Sequence, residues 1–394
     1  MKTAAIIAEF NPFHEGHAHL IREARRQGAD RVLVLMSGDY VQRGEPAIFD
    51  RYVRTSMALT GGADLVISYP ARFAASSAES FASHAVSILN AVKTADCLVF
   101  GSESADPARL KECASILLEE PQIYRDHLRA GLKSGLSFPK ARAEALPSFA
   151  DLLSGPNDIL AIEYLKALYR TGSSIKPVAI PRIGTEHHGT KVGPYASAAA
   201  IRSAVFSGNE AIKSAVPSAV CPLYQDALHK QGAMHPDYYS DLIAGALWAA
   251  SSPEDLAVFA DVTEELSMRL FAKRSAYRGF TLFTKLCASR SLTESHVRRA
   301  LLHMALSIRK GESGGHFCHI LGFRKEAADL LAAVKKNAEI PVIINPPSDA
   351  RLLEGQNRRL FDEEVRLHGL YGSILSVRNG CLLPHLYAEP VQKW

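Results

Sequence analysis

The sequence predicts an α/β fold, with a parallel sheet in its first half and a mostly helical second half, on three observations. Short apolar runs alternate with helix-compatible stretches through the first hundred residues. Those runs are too short for helices and too continuously apolar for a half-solvated strand, so each reads as a strand covered on both faces. Beyond about residue 206 the pattern becomes mostly helical.

In chain order, residues 3–8 form a first strand that ends in a loop rich in Gly, Pro and Asn. Residues 17–27 have helical composition, and residues 31–36 (Arg-Val-Leu-Val-Leu-Met) form a second strand. A loop over residues 37–46 precedes a helix over 51–60, a third strand over 64–68 and a helix over 78–92. A fourth strand, residues 97–100, runs into Gly101-Ser102-Glu103. Residues 110–145 read as helical, with Gly131, Gly135 and Pro139 marking turns. A helix over 157–169 has Asn157 as its expected cap and Asp158 in its first turn. Residues 176–180 form a fifth strand that delivers Pro181-Arg182-Ile183-Gly184, and residues 196–205 open another helix. Helices over 241–250, 255–270, 293–307 and 324–335 follow, with a strand-like run at 341–345. Strands alternating with helices give a Rossmann-like parallel sheet, and such sheets bind ligands at the carboxyl ends of their strands. The loops after Ala8, Met36, Ser68 and Phe100 therefore share one rim. The expected division is a sheet domain over residues 1–205 and a helical domain over 206–394.

Hydrophobic residues make up 47% of the 394 and charged residues 22%, the balance of a soluble chain. No apolar stretch approaches the roughly 20 residues that span a bilayer, and the N-terminal apolar run is cut by Glu9 and Asn11 too early for a signal peptide. No membrane partner is expected. The six cysteines are scattered without a C-x-x-C pair, which argues against a disulfide framework or a structural zinc site and for a reducing cytoplasm. The net charge of +4 is small, but basic residues crowd one window. Between residues 269 and 310 they are Arg269, Lys273, Arg274, Arg278, Lys285, Arg290, Arg298, Arg299, Arg309 and Lys310, against Glu294 alone. Such a window holds a polyanion or forms a solvated helix face.

The densest chemistry is Phe10-Asn11-Pro12-Phe13-His14-Glu15-Gly16-His17, between the first strand and the first helix. Two imidazoles three positions apart at a helix start can face one phosphate, and Gly16 lets the backbone approach closely. The helix start adds free N–H groups and positive potential, which favour an anion. During attack at an α-phosphate, negative charge builds on its oxygens, and losing one fixed donor there costs about 3 kcal/mol. Ordinary surface histidines, or a metal held by His14, His17 and His19, are the competing readings. No acidic or cysteine partner is placed to complete a zinc site. His316-Phe317-Cys318-His319 likewise lacks a fourth ligand and reads as packing.

This motif is similar to the signature of the nucleotidyltransferase superfamily that also includes the class I aminoacyl-tRNA synthetases. Ser197-Ala198-Ala199-Ala200-Ile201-Arg202 resembles a second superfamily element, an I-S-x-T-x-I-R type run. Ala199 stands where many members have a hydroxyl, which puts one phosphate contact in doubt. Arg202 is then either a clamp on the β- and γ-phosphates or a helix-surface arginine. Four longer stretches resemble the bacterial tRNA(Met) cytidine acetate ligases. They are Ser37-Gly38-Asp39-Tyr40-Val41-Gln42-Arg43-Gly44-Glu45-Pro46-Ala47-Ile48-Phe49-Asp50, Ser137-Phe138-Pro139-Lys140-Ala141-Arg142, Pro156-Asn157-Asp158-Ile159-Leu160-Ala161-Ile162-Glu163-Tyr164 and Ile180-Pro181-Arg182-Ile183-Gly184. The likeness runs in order from Lys2 to about Arg202 and fades afterwards.

The resemblance implies an enzyme that uses ATP, with a magnesium ion, to activate acetate as acetyl-adenylate. The acetyl group would then pass to N4 of the wobble cytidine of elongator tRNA(Met), giving N4-acetylcytidine. It further implies that Ile7, Ala8, Glu9, Phe10, Asn11, Pro12, Phe13, His14, Glu15, Gly16, His17, Ala18, His19 and Leu20 wrap the nucleotide, with Gly101, Asn157, Arg182 and Ile183 completing the pocket. Physical sense supports Gly101, Asn157 and Arg182 among these contacts. Gly101 follows the fourth strand, where a side chain would collide with an adenosine. Asn157 hydrogen-bonds ribose or base, or merely caps its helix. Arg182 pairs with a phosphate, or forms a surface salt bridge. Asp39, Gln42 and Arg43 lie after the second strand, near the expected acyl acceptor. Asp39, counted as catalytic with His14, His17 and Arg202, would orient magnesium or the nucleobase, and Arg43 would hold the acetate carboxylate; solvated loop residues are the alternative. In the basic window Tyr277, Phe280 and Phe283 stack on RNA bases or pack in a core. An adenylyltransferase for a phosphorylated cofactor precursor, and a non-catalytic ATP- and RNA-binding protein, are the rival functions.

Overall fold

A near-continuous run of small and β-branched apolar residues makes the first strand, β1 (Thr3–Ala8), the middle of the sheet rather than an edge. The computed structural model describes residues 1–183, 195–208, 214–311 and 314–394. The strands after β1 are β2 (Arg31–Ser37), the two-residue pair β3 (Tyr40–Val41) and β4 (Glu45–Pro46), β5 (Leu65–Tyr69), β6 (Cys97–Ser102) and β7 (Lys176–Pro181). Five of them lie side by side in the order β5-β2-β1-β6-β7, all parallel. Successive residues feed opposite faces. Ala5, Leu33, Leu35, Leu65, Ile67 and Leu98 enter one core, while Ala4, Ile6, Val32, Val34, Val66 and Val99 enter another. Both faces are apolar because both are covered by helices.

The covering helices begin where short polar side chains cap them. Asp50 accepts the Tyr52 and Val53 N–H groups at the start of Arg51–Thr60, and Ser77 accepts Ser80 N–H at the start of Ala78–Val92. The chain leaves β1 for β2 and β5 on one side, then returns to pair β6 on the other side of β1. That reversal opens a crevice at the carboxyl ends of β1 and β6, the usual ligand position in a doubly wound sheet.

The expected division at residue 205 does not separate the sheet from the rest. β8 (Cys318–Phe323) pairs antiparallel with β5, and β9 (Val342–Ile343) and β10 (Gln392–Lys393) pair with β8. Sequence reading missed β8 because Cys-His-Ile-Leu-Gly-Phe is six residues long, carries a histidine and a glycine, and lies between helices. A third core joins Leu266, Leu270, Phe280, Phe283 and Leu301 to Tyr40 and Ala71 from the first half and to Leu367 and Tyr371 from the last helix. The expected helix over 255–270 is two, Pro253–Ala257 and Glu264–Lys273, because Asp261 takes φ 58° and Thr263 caps the second. The Gly355–Asn379 helix, 25 residues long, was not anticipated. Among the described residues no helix is long and apolar enough to cross a membrane.

Candidate active site

The crevice holds a cavity of about 450 Å³. Its floor is the end of β1, with Ile7, Ala8 and Glu9, and the end of β6, with Phe100 and Gly101. Around it stand His14, Gly16, His17, His19 and Leu20 from the first helix and the loop before it, then Asn157, Arg182, Ile183 and Arg202. Thirteen of the expected residues are thus brought to one place by five separate segments of chain. Gln42 and Arg43 also line it. A Cβ on Gly101 would come 3.3 Å from Arg182 Cγ, so the glycine leaves room for the arginine stem as well as for a ligand. Gly184, the last residue of the Ile180–Gly184 motif, lies outside the described residues.

The two histidines form one stacked unit at the start of the Glu15–Arg26 helix, with ring centroids 3.7 Å apart and planes 23° from parallel. His14 Nδ1 accepts Gly16 N–H at 3.1 Å, and His17 Nδ1 accepts His14 N–H at 3.2 Å. A backbone N–H only donates, so each Nδ1 is bare and each neutral ring carries its proton on Nε2. Burial lowers the His14 pKa to about 3, with Arg182 and Arg202 adding to it. Burial, His14 and Arg182 hold His17 well below the ordinary histidine value. The pair is therefore neutral at physiological pH and offers two Nε2–H donors.

The remaining expected residues of the 7–20 segment support this pair from beneath. Phe10 and Phe13 are buried and pack edge-on to one another, and Phe10 packs edge-on to His17. Asn11 Oδ1 accepts Ile48 N–H at 2.8 Å, which ties the motif to the loop after β2. Pro12, Glu15 and Ala18 do not line the cavity, and Ala18 is buried against the sheet.

Charge in the cavity is mostly positive. Arg202 donates to Asn11 O at 2.8 Å and pairs with Glu45 at 2.7 Å, which fixes its guanidinium at the rim. Arg182 donates to Asn157 Oδ1 at 3.1 Å. Arg299, one helix turn after Ser295, arrives from the C-terminal half, its Nε on Asp261 at 2.8 Å. Its presence was foreseen only as part of a basic window, because nothing local in the sequence says which residues of a late helix meet an early loop. Tyr164, Phe81 and Leu160 line the cavity too, and no sequence signal set them apart from core residues. Glu9 is the single carboxylate among the described lining residues.

Asp39 corrects the expectation of a catalytic carboxylate. It is fully buried and absent from the cavity wall. Its Oδ1 accepts Arg51 N–H at 2.9 Å, and its Oδ2 accepts Arg51 at 2.8 and 2.9 Å and His368 Nδ1 at 2.9 Å. Burial opposes its ionisation, but Arg51 and His368 outweigh burial and hold the carboxyl below its usual range. Both oxygens are committed, so none remains for magnesium or a base. Asn157 is not its helix's cap. Gly155 holds that position and Pro156 opens the helix, while the Asn157 amide donates to Glu103. Phe280 and Phe283 are buried in the third core, and Tyr277 donates to Ser240 O at 2.9 Å, so stacking on RNA bases is withdrawn for Phe280 and Phe283. His316 and His319 pack against aromatic rings, and no group of three His, Cys, Asp or Glu side chains among the described residues is arranged to hold a metal.

The family model described as HIGH Nucleotidyl Transferase matches residues 1–380. The chain belongs to that family. Within the family it is 37% identical over 406 residues to a protein of Caldanaerobacter subterraneus subsp. tengcongensis named tRNA(Met) cytidine acetate ligase, with both chains fully covered. A protein of the same name from Thermoanaerobacter sp. (strain X514) is 35% identical over 407 residues, again over all of both chains. Among solved structures, the fold matches Thermotoga maritima TmcAL bound with alpha-thio ATP, with a TM-score of 0.89 and 26% identity over the whole of each chain. The apo form of that protein matches with a TM-score of 0.91 and 27% identity.

Proposed function

We infer that the protein is an ATP-dependent ligase that activates acetate as acetyl-adenylate and acetylates N4 of the wobble cytidine of elongator tRNA(Met). The observation that carries this reading is the neutral, stacked His14–His17 pair, with two Nε2–H donors facing a cavity lined by Arg43, Arg182, Arg202 and Arg299. Relatives that share the chain's full length are named for this activity, which supports it independently.

In the first step an acetate oxygen attacks the α-phosphorus in line and the bond to pyrophosphate breaks. His14 and His17 donate to the α-phosphate oxygens as charge builds there. Arg202 and Arg182 take the phosphate charge further along the chain of phosphates. In the second step the cytidine amine attacks the acetyl carbon and AMP leaves. A magnesium ion would keep several waters and be held by the triphosphate, as this ion commonly is at nucleotide sites. It would supply charge neutralisation at the leaving pyrophosphate.

Transfer RNA is proposed to approach over the exposed basic residues Arg278, Lys285 and Arg290. The Glu294–Leu306 helix that follows them carries Ser295 and Arg299 to the cavity, so the same part of the chain that offers cations to phosphates also walls the active site. Six free cysteines, four of them buried, suit a reducing cytoplasm.

The deciding experiment is acetate-dependent exchange of labelled pyrophosphate into ATP. We expect exchange in the wild type and a loss of about a hundredfold or more in His17→Ala. No exchange with any short carboxylate, with or without tRNA, would reject the ligase reading and turn attention to phosphorylated acceptors.

A further inference from the structure

A carboxylate in a cavity built for a triphosphate needs a reason. Glu9 follows β1 at the bottom of the crevice, beside Arg43 and Arg202. A fixed negative charge there repels ATP and acetate alike, so its value must come from a ligand that donates hydrogen bonds. Its Oε1 accepts Gln42 N–H at 3.0 Å, whereas Oε2 takes no hydrogen bond among the described residues. One oxygen of this cavity-lining side chain is thus a fixed strut to the loop after β2, and the other is left without a hydrogen bond among the described residues.

We propose that Glu9 reads the acceptor base and takes its proton: Oε2 accepts a hydrogen bond from the exocyclic amine of cytidine, and receives a proton from that amine as nitrogen bonds to the acetyl carbon. The assignment deepens the ligase reading and rests on it. A carboxylate is the natural partner of the cytosine N4–H₂ donor, whereas uracil presents an acceptor oxygen there and would be repelled. Adenine also carries an exocyclic amine, but Glu9 neighbours the cationic Arg202 and Arg43, which suit the triphosphate rather than the adenosine. The balance of the step is complete without another reactant. The N4–C bond forms, the bond from the acetyl carbon to the phosphate oxygen breaks with its electron pair leaving on AMP, and one N4 proton ends on Glu9. AMP is a stable anion and needs no proton to depart.

The surroundings suit a base. Burial raises the Glu9 carboxyl above its ordinary value, against the pull of Arg43 and Arg202 and with the help of Glu45. A carboxylate with a raised pKa is a better proton acceptor than a solvated one. The charged and titratable groups around it include Arg43, Arg202, Glu45, Tyr164 and Arg54, whose guanidinium donates to Glu9 O at 2.6 Å.

The test is Glu9→Gln and Glu9→Asp in the full chain, each assayed twice: by acetate-dependent pyrophosphate exchange, and by single-turnover acetylation of an elongator tRNA(Met) transcript. Glutamine keeps an oxygen for Gln42 N–H, so the strut survives. In Glu9→Gln we expect transfer to fall on the order of a hundredfold or more, as for loss of a general base, while exchange falls by under about tenfold. Glu9→Asp should regain at least about tenfold of the lost transfer. The wild-type transfer rate should fall on the acid side of its pH profile, and Glu9→Gln should lack that limb. Equal losses of exchange and transfer in Glu9→Gln, or transfer within about tenfold of wild type, overturn the assignment. Absence of exchange in the wild type rejects the ligase reading itself, and the assignment with it.

Discussion

At the scale of single residues, the histidine motif works through which nitrogen is bare. Backbone N–H groups occupy both Nδ1 atoms, so the tautomer is set by the turn before a ligand arrives. The same burial has a cost that pH reveals. Burial, with Arg182 and Arg202, lowers His14 to about 3; burial, with Arg51 and His368, lowers His319 to about 3. In the unfolded chain each binds a proton near its ordinary value of 6.5. Below that value the unfolded state therefore binds more protons, and stability drains as pH falls from 6.5 towards 3; above 6.5 it is fully present. We expect the midpoint of urea unfolding to be lower at about pH 5 than at about pH 7.5, and the difference to shrink in His319→Gln. A pH difference left unchanged by His319→Gln would show that this histidine is not held neutral.

At the scale of elements, the loop from Gly38 to Asp50 is gripped from two sides. Arg51 joins Asp39 to Glu364 on the Gly355–Asn379 helix, at 2.8 and 3.0 Å, and all three side chains are buried. On the other side Gly44, at φ 75°, lies so close to the Arg299 backbone that a Cβ would collide with it. The grip holds Gln42 and Arg43 at the cavity, so Asp39 positions the site without touching a ligand. Removing one partner of a buried pair strands the other charge, and Asp39→Ala should lose about 3–5 kcal/mol of stability, read as a lower melting temperature. An unchanged melting temperature with abolished exchange would instead restore Asp39 to the chemistry. The basic window makes a different kind of prediction. Lys285→Glu combined with Arg290→Glu should raise the KM for tRNA and reduce the slope of log KM against log salt by about 2 for charges that meet phosphates. An unchanged slope would place the tRNA elsewhere.

At the scale of the whole molecule, the two halves share a sheet and cores. β8 covers the β5 edge, and Leu321 and Ile320 belong to opposite faces of the same sheet as the N-terminal strands. A fragment of residues 1–205 would expose the β5 edge and the faces that β8 and the last helix cover, and an uncovered strand edge invites association. We expect that fragment to aggregate or to be digested at once by a protease, whereas the full chain resists. A stable, monomeric fragment that binds ATP would show that the sheet is complete without the C-terminal strands.

The five parallel strands, the helices between them and the H-x-G-H turn were legible in the sequence because each is written locally, in apolar runs a few residues long, in the helix-compatible stretches between them, and in two histidines at a helix start. Their sites followed from topology, since residues after Ala8 and Phe100 must share a rim once β1 and β6 are neighbours. Asp39, Glu9, Arg299 and β8 were not legible in the same way. Two carboxylates in adjacent loops look alike as letters, yet one is spent on Arg51 and His368 and the other faces a cavity. What separates them is the company that distant segments bring, the Gly355–Asn379 helix in one case and a cavity with Arg202 in its wall in the other. Local pattern determines which elements form, because backbone conformation and one-sided burial act over a few residues. Only the packed structure decides which polar groups are left unpaired, because that depends on contacts made across three hundred residues of chain.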